Sequence, residues 1–391
     1  PVRHLTLAAG LCCSMIATIM AAQAGENPSP PPVAPAAGNQ INAPPPSPGP
    51  ERLEIGAALD SEDGPIGSAY AGRNNLIPGV FAFATLRYAR HTQRAQAGLF
   101  KPQALGERID AGVDLDVRRD AYADQGFRAT TYGVEPYLRF DARRGGVLTT
   151  GLGYRVRTVD DLAADAPPFF RRDAGTRSGV YAHVSHTLDR FVETRRLTLS
   201  AGIDNHAYDL NSGNHAVWRT EAWSRAKVAL VPGDLSLLDT VRVGFMRPLG
   251  GGSPSVADRF FIGGANLRGF APRRVGPRDG DYFVGGERYV TASLDLIKQV
   301  GTVLGSPVSA GVFADVGSLW GGGPRPDTAA GTVANAAAST ADTRAIVRAS
   351  AGIAVTFTVA GMPVSAYVAQ PVRKQSRDVA QKFGISISMR F

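Results

Sequence analysis

Cysteine is nearly absent. The 391-residue chain holds two, Cys12 and Cys13, adjacent and close to the N-terminus. A disulfide scaffold and a thiolate zinc site in the body of the protein are therefore excluded. Long apolar runs are lacking too. After residue 24 no stretch approaches the ~18 apolar residues that a membrane helix needs. That excludes a helical membrane protein, but not one built from strands. The chain carries no G-x-S-x-G, H-E-x-x-H, Walker loop or paired-cysteine motif, so it is not read as an enzyme and no cofactor is expected. His183 and His186, three apart, fall on opposite faces of a strand and make a poor metal pair. His206 and His215 flank an expected loop tip and are read as solvated, so no metal is expected. No aromatic-basic RNA motif occurs. The excess of Lys and Arg (42) over Asp and Glu (34) gives a net charge of +8. In an exported barrel such charge lines a lumen or meets lipid phosphates, and no nucleic-acid partner is expected.

What is present begins with an export signal. Arg3, the apolar residues 5–22 and the triplet Ala22-Gln23-Ala24 have the layout of a signal peptide spanning 1–24 and cleaved after Ala24. An uncleaved anchor is the alternative, disfavoured by the proline-rich stretch that follows. Residues 25–51 form a Pro-rich linker, extended and solvated, either a passive spacer or a polyproline ligand for a partner. Residues 52–391 form the folded domain.

Across that domain the dominant period is two. Phe383, Ile385, Ile387, Met389 and Phe391 alternate with Gly384, Ser386, Ser388 and Arg390. Successive strand side chains point to opposite faces, so one face is apolar and the other small or polar. The pattern recurs at 347–357, 290–296 and 197–203. It predicts about sixteen strands, the first at 53–59 and 66–72, the last at 382–391, with turns at 143–146, 232–234 and 360–362 and long loops at 250–285 and 320–344. A soluble β-sandwich has the same period, but its apolar face carries large interlocking groups. Here that face is often Ala, Val or Leu, while the opposite face holds Arg, Asp, Ser and Gly. The expected fold is all-β: a transmembrane antiparallel barrel of about sixteen strands, apolar outside and polar inside.

Residues 259–270 read RFFIGGANLRGF, followed by GPRDGDYFVGGERYVTASLDL at 276–296 and GVFADVGSLW at 311–320. Here the sequence resembles the BamA/TamA superfamily of outer-membrane assembly factors, which also includes the mitochondrial sorting-and-assembly barrel and two-partner-secretion transporters. The tetrad Leu267-Arg268-Gly269-Phe270 after a Gly-Gly pair resembles that family's inward-folded sixth extracellular loop. Phe313-x-Asp315-x-Gly317 resembles its thirteenth-strand motif, and Ser293-Leu294-Asp295 its twelfth, which usually ends in Glu. Phe391 matches the C-terminal barrel signal.

Strand parity makes chemical sense of these residues. If Val312, Ala314 and Val316 face lipid, Phe313 and Asp315 face the lumen; if Leu294 and Leu296 face lipid, so does Asp295 face inward. Two carboxylates on neighbouring strands then share one interior, where a planar guanidinium can satisfy both. Arg268 is the expected donor, pinning the loop inside the barrel, with Gly269 allowing a tight backbone and Phe270 packing nearby. The alternative leaves Arg268 on a mobile surface loop and both carboxylates in water.

The resemblance implies insertion of outer-membrane proteins or translocation of polypeptides across a bacterial outer membrane. Its implied partners are membrane lipid and lipopolysaccharide, with unfolded outer-membrane proteins or secreted polypeptides as clients. Opening between the first and last strands, near Gly56 and Gly384, would expose backbone groups to a client strand. Family members usually carry periplasmic POTRA domains ahead of the barrel, where this sequence has the linker. A separate periplasmic partner is one expectation, and a passive pore or envelope-stabilising barrel is the alternative.

Overall fold

The computed structural model describes residues 52–122, 125–142, 146–303, 305–322, 343–359 and 362–390. The signal peptide expected at 1–24, the linker at 25–51, the turns at 143–145 and 360–361, and Phe391 lie outside the described residues. Among the described residues no helix is long and apolar enough to cross a membrane.

Sixteen antiparallel strands close into one barrel. In chain order they are β1 (Arg52–Asp60), β2 (Gly64–Ile77), β3 (Val80–Ala89), β4 (Thr92–Lys101), β5 (Ile109–Tyr122), β6 (Phe127–Ala142), β7 (Gly146–Asp160) and β8 (Gly175–Glu193). The second half comprises β9 (Leu197–Tyr208), β10 (Val217–Val231), β11 (Leu235–Pro248), β12 (Arg288–Val303), β13 (Ser306–Trp320), β14 (Arg348–Val359), β15 (Met362–Arg373) and β16 (Phe383–Arg390). Each strand pairs with its chain neighbours, and β1 pairs with β16. One rim carries short connections such as 78–79, 194–196 and 232–234; the other carries 161–174, 209–216, 249–287 and 374–382. The second strand runs further than the alternation predicts. The sequence Arg73-Asn74-Asn75-Leu76-Ile77 breaks the period because the β2–β3 register shifts between Asn74 and Ile77, with Asn75 in the left-handed region at φ 55°.

The faces sort as the alternation predicts. Val312, Ile353, Val368 and Phe383 are 53–58% exposed on the outside, whereas Phe313 is 4% and Asp315 2% exposed on the inside. An apolar exterior around a polar interior is the distribution that a lipid-facing barrel requires. One small apolar cluster belongs to the wall alone, Phe81, Phe83, Phe100 and Tyr137, but the larger ones do not. They lie where loops fold into the lumen: Phe260, Ile262, Leu267, Phe270 and Val275 of the 249–287 loop pack with Met246, Tyr289 and Leu319 of the wall. A second cluster joins Phe169 and Phe170, in the one-turn helix α1 (Pro168–Asp173), to Val256, Val284, Phe127 and Val159.

Inside the wall, aromatic rings lie over glycines on the neighbouring strand. Gly112 faces Tyr137, Gly153 faces Tyr181, Gly202 faces Trp223, Gly244 faces Tyr289, Gly352 faces Phe313 and Gly384 faces Tyr367, each pair directly opposite in register. A Cβ added at any of these glycines meets the facing ring. The rings cover backbone that glycine leaves open and fix the register of the pair.

The junction of first and last strands is short. β1 and β16 share five residue pairs, Gly56↔Arg390 to Asp60↔Ser386, as many as β15 and β16, against nine between β1 and β2 and fifteen between β12 and β13. One further bond, Ser61 N–H to the Ile385 carbonyl at 3.0 Å, extends it towards the loop rim.

Gly153→Leu should displace the Tyr181 ring and lower unfolding stability by about 1–3 kcal/mol, read from urea titrations in detergent. Gly67→Ala, where an added Cβ meets nothing within 4 Å, should leave the midpoint in place.

Candidate functional site

The 249–287 loop enters the lumen and is held at three points. At its tip stands Arg268. Its Nε donates to Asp315 Oδ2 at 2.9 Å and its Nη2 to Asp315 Oδ1 at 2.7 Å. Nη1 and Nη2 also reach Asp295 at 2.7 and 3.1 Å, and Nη2 reaches Ser293 Oγ at 2.7 Å. The backbone N–H of Arg268 donates to Asp315 Oδ2 at 2.9 Å, and its carbonyl accepts from the Ser350 hydroxyl. The guanidinium plane stacks 3.5 Å over the Phe313 ring. Ser293 and Asp295 lie two apart on β12, opposite Asp315 and Phe313 on β13. Strand pleat alone thus aims two carboxylates and a ring at one point. A guanidinium suits that point because its planar fork can serve two carboxylates while its face meets the ring.

The rest of the tetrad makes the approach possible. Leu267 is fully buried, its methyls close to where a Cβ on Gly317 would stand, at 3.2 Å. Gly269 takes φ +90°, and a Cβ there would sit 3.0 Å from the Ser350 Cβ and 3.3 Å from the Ala369 Cβ. Gly269 and Phe270 pair with Ala380 and Gln381 of the 374–382 loop. That loop is itself fixed by a buried pair in which Arg348 donates to both oxygens of Asp378 at 2.9 and 3.1 Å.

The loop's root is anchored on the opposite wall. Arg155 of β7 grips Asp209 through Nε at 3.0 Å and Nη2 at 2.7 Å, and reaches Asp258 through Nη1 at 3.0 Å. Arg157 donates to the same Asp258 oxygen, and all four side chains are buried. Burial opposes ionisation of Asp258, but the two guanidiniums outweigh it and hold the carboxyl well below the usual range. Asp173 at the end of α1 accepts the Val256 N–H at 2.7 Å. The alternation of β7 places Arg155 and Arg157 on the lumenal face, which was a readable signal; Asp258, about a hundred residues away, was not.

A third contact lies above the junction of β1 and β16. Glu62, between β1 and β2, sits near Gly264 and Pro272 of the long loop. Burial and the neighbouring Asp63 push its carboxyl up to about 7, with Asp60 adding to the rise and Arg273 opposing it.

His206 corrects the sequence reading. It is not solvated at a loop tip but buried on the lumenal face of β9, its ring stacked on His183 at 4.4 Å and 4°. The two residues lie opposite each other in the β8–β9 register. His183 and His186 do point to opposite faces, and the pairing that matters runs across strands.

Residues 74–391 match the Omp85 superfamily domain. The chain belongs to the Omp85 superfamily. A SAM50-like protein of Schizosaccharomyces pombe is 30% identical over 170 residues, covering 42% of this chain and 36% of that protein. The matched part thus spans about a third of the length of that SAM50-like protein. Among solved structures, BamA from Haemophilus ducreyi lacking POTRA domains 1–3 superposes with a TM-score of 0.73 at 18% identity, covering 87% of this chain and 70% of that one. CdiB from Escherichia coli superposes with a TM-score of 0.56 at 12% identity, covering 89% and 64%. At these identities the likeness establishes the fold of this Omp85 barrel.

Arg268→Ala would leave the buried Asp315 and the partly buried Asp295 without their counter-ion. The expected loss is about 3–5 kcal/mol, with loop 249–287 becoming sensitive to protease. Arg268→Lys, a point charge in place of a fork, should recover little, and Asp295→Asn with Asp315→Asn in the Ala background should recover more.

Glu62 sets a pH dependence of opposite sign to the usual carboxylate. Its folded-state value lies above the ordinary 4.5, so folding favours the protonated form. The stability it contributes is complete below about 4.5 and lost as pH rises through about 7. The protection factors of Gly264 and Ala265, that is exchange corrected for its intrinsic pH dependence, should fall between pH 5 and 8, and Glu62→Gln should remove that fall.

Proposed function

We propose that this barrel sits in a bacterial outer membrane and assists other polypeptides to insert into that membrane or cross it. The observation that carries the proposal is the combination, in one Omp85 barrel, of a loop pinned inside the lumen and a five-pair junction between β1 and β16. A sheet in hydrocarbon must pair every backbone group; β16 has five pairs on each side, to β1 and to β15, and on the β1 side no loop joins the two strands, so separation there costs least. Its exposed edges offer N–H and C=O groups to a client strand, which adds by β-augmentation. Loop 249–287, fixed by Arg268 to Asp295 and Asp315, braces the wall meanwhile and keeps the lumen filled. In this reading the latch residues Leu267, Arg268, Gly269 and Phe270, with their acceptors Asp295, Phe313, Asp315 and Gly317, are positioning residues, and Phe391 completes the terminal strand signal.

On this proposal residues 1–24 direct export, and residues 25–51 tether the barrel or dock on a separate periplasmic partner. The loop rim then faces outward towards lipopolysaccharide, and the short turns face the periplasm. A passive pore is the second reading, and it predicts different electrical behaviour.

The test is insertion of an unfolded outer-membrane protein into liposomes containing the purified chain. Acceleration is expected, reduced several-fold by Arg268→Ala. A cysteine pair at Ala58 and Ser388, which lie opposite each other across the junction, should block insertion when oxidised and restore it on reduction. Large, steady single-channel conductance with no effect on the client would overturn the proposal in favour of a pore.

A further inference from the structure

The lumenal wall of β6, β8 and β9, away from the latch, carries a cluster that the assembly reading does not use. One ligand atom from each of Glu135, His183 and His206 lies within 4.8 Å of the others. The three come from three different strands and converge because strand pleat and register aim them at one point in the lumen. His183 Nδ1 lies 2.7 Å from Glu135 Oε1. His206 Nδ1 lies 2.9 Å from Asp204 Oδ1, and the imidazole rings are stacked face to face.

We propose that these three side chains hold one divalent transition-metal ion of the zinc class. Imidazole nitrogens with a carboxylate oxygen are the donor set such ions favour. Ligands at bond lengths of about 2.0–2.2 Å stand about 3.4 Å apart around a tetrahedral centre, so closing on an ion requires the two stacked rings to tilt towards a common point by side-chain rotation. Asp204 supplies the supporting carboxylate that orients the His206 ring, as acidic partners of metal-bound histidines do.

A plain ion-pair network explains less. It accounts for His183 Nδ1 and His206 Nδ1 through Glu135 and Asp204. It leaves His183 Nε2 buried without a hydrogen bond, 3.5 Å from Asp204. That ion-pair contact with Asp204 is long for a buried nitrogen, and an ion in the cluster gives the imidazole pair a closer common partner.

The site is also joined to the loop root. The stack continues from His206 to Tyr208 at 4.9 Å and 12°, and from Tyr208 to the Arg155 guanidinium at 3.8 Å, which holds Asp258. An ion that fixes the His206 ring therefore also constrains the Tyr208–Arg155 contact beside it.

The experiment uses the full chain, purified without a polyhistidine tag, stripped with EDTA and titrated with Co²⁺ and then Zn²⁺. One Co²⁺ per barrel is expected, with visible d–d absorption that Zn²⁺ displaces. His183→Gln and His206→Gln should each weaken binding at least tenfold, as should Glu135→Gln, the mildest of the three in shape. His186→Gln, on the opposite face of β8, should bind as the parent does. Heat-modifiable migration on a gel verifies that each variant is folded, and Glu135→Gln decides the matter if a histidine variant is not. Zn²⁺ should also slow proteolysis of loop 249–287 in the parent and not in Glu135→Gln. Absence of binding in the parent, or binding that these three variants leave unchanged, would overturn the site.

Discussion

A hydrocarbon solvent accepts no hydrogen bonds, and that constraint shapes the molecule. Every N–H and C=O of a strand in lipid needs a protein partner, so the sheet closes on itself. Sixteen strands enclose a lumen that wall side chains do not fill. The interior is supplied by loops, and the apolar contacts of an ordinary core reappear there, between Phe260, Ile262, Leu267 and Phe270 and the wall residues Met246 and Leu319. The sheet turns most of its aliphatic groups outward. The barrel is thus an inside-out protein whose largest apolar clusters are completed by loops.

Apolar packing alone does not place a loop inside a polar cylinder, because the wall groups would lose water without replacement. The structure answers with arginine forks that meet carboxylates in pairs. Arg268 satisfies Asp295 and Asp315, Arg155 satisfies Asp209 and Asp258, and Arg348 satisfies Asp378. Each guanidinium reaches its acid through two or more nitrogens, or closes both acid oxygens, so desolvated charge on either side is matched by donors of fixed direction. Such pairs contribute less to net stability than to specificity, since apolar replacements of similar volume can be as stable. Here they select one position of the loop among many.

Much of this was legible. The two-residue period marked the sixteen strands, because lipid outside and water inside impose opposite chemistry on alternate residues along every strand. The latch was legible for the same reason: once Val312 and Leu294 face outward, Asp315 and Asp295 have no other direction to take. The lumenal histidines were not. Whether His206 meets His183 depends on how β8 registers against β9, and the count is altered by an irregularity between Leu188 and Val192, with Arg190 at φ 45°. Parity within a strand survives such an insertion only up to the bulge. The loop root was hidden for a different reason. Asp258 follows its arginine partners by about a hundred residues, and no local period ties a loop carboxylate to a strand that far upstream.

The anchors are distributed unevenly around the barrel. Loop 249–287 ties β7, through Arg155 and Arg157, to β12 and β13, through Arg268, and the two-residue pairing with 380–381 draws in the segment before β16. These braces cross the lumen and bind walls that are also joined by long strand ladders. The junction of β1 and β16 has five pairs and no arginine fork spanning it among the described residues; what lies above it is Glu62, a carboxyl whose ionisation the site disfavours. Separation of β1 from β16 therefore breaks few backbone bonds and none of the three forks. The ion pairs that fix the loop thus do not span this junction, and the rigidity of the loop is set independently of the two short ladders that hold β16.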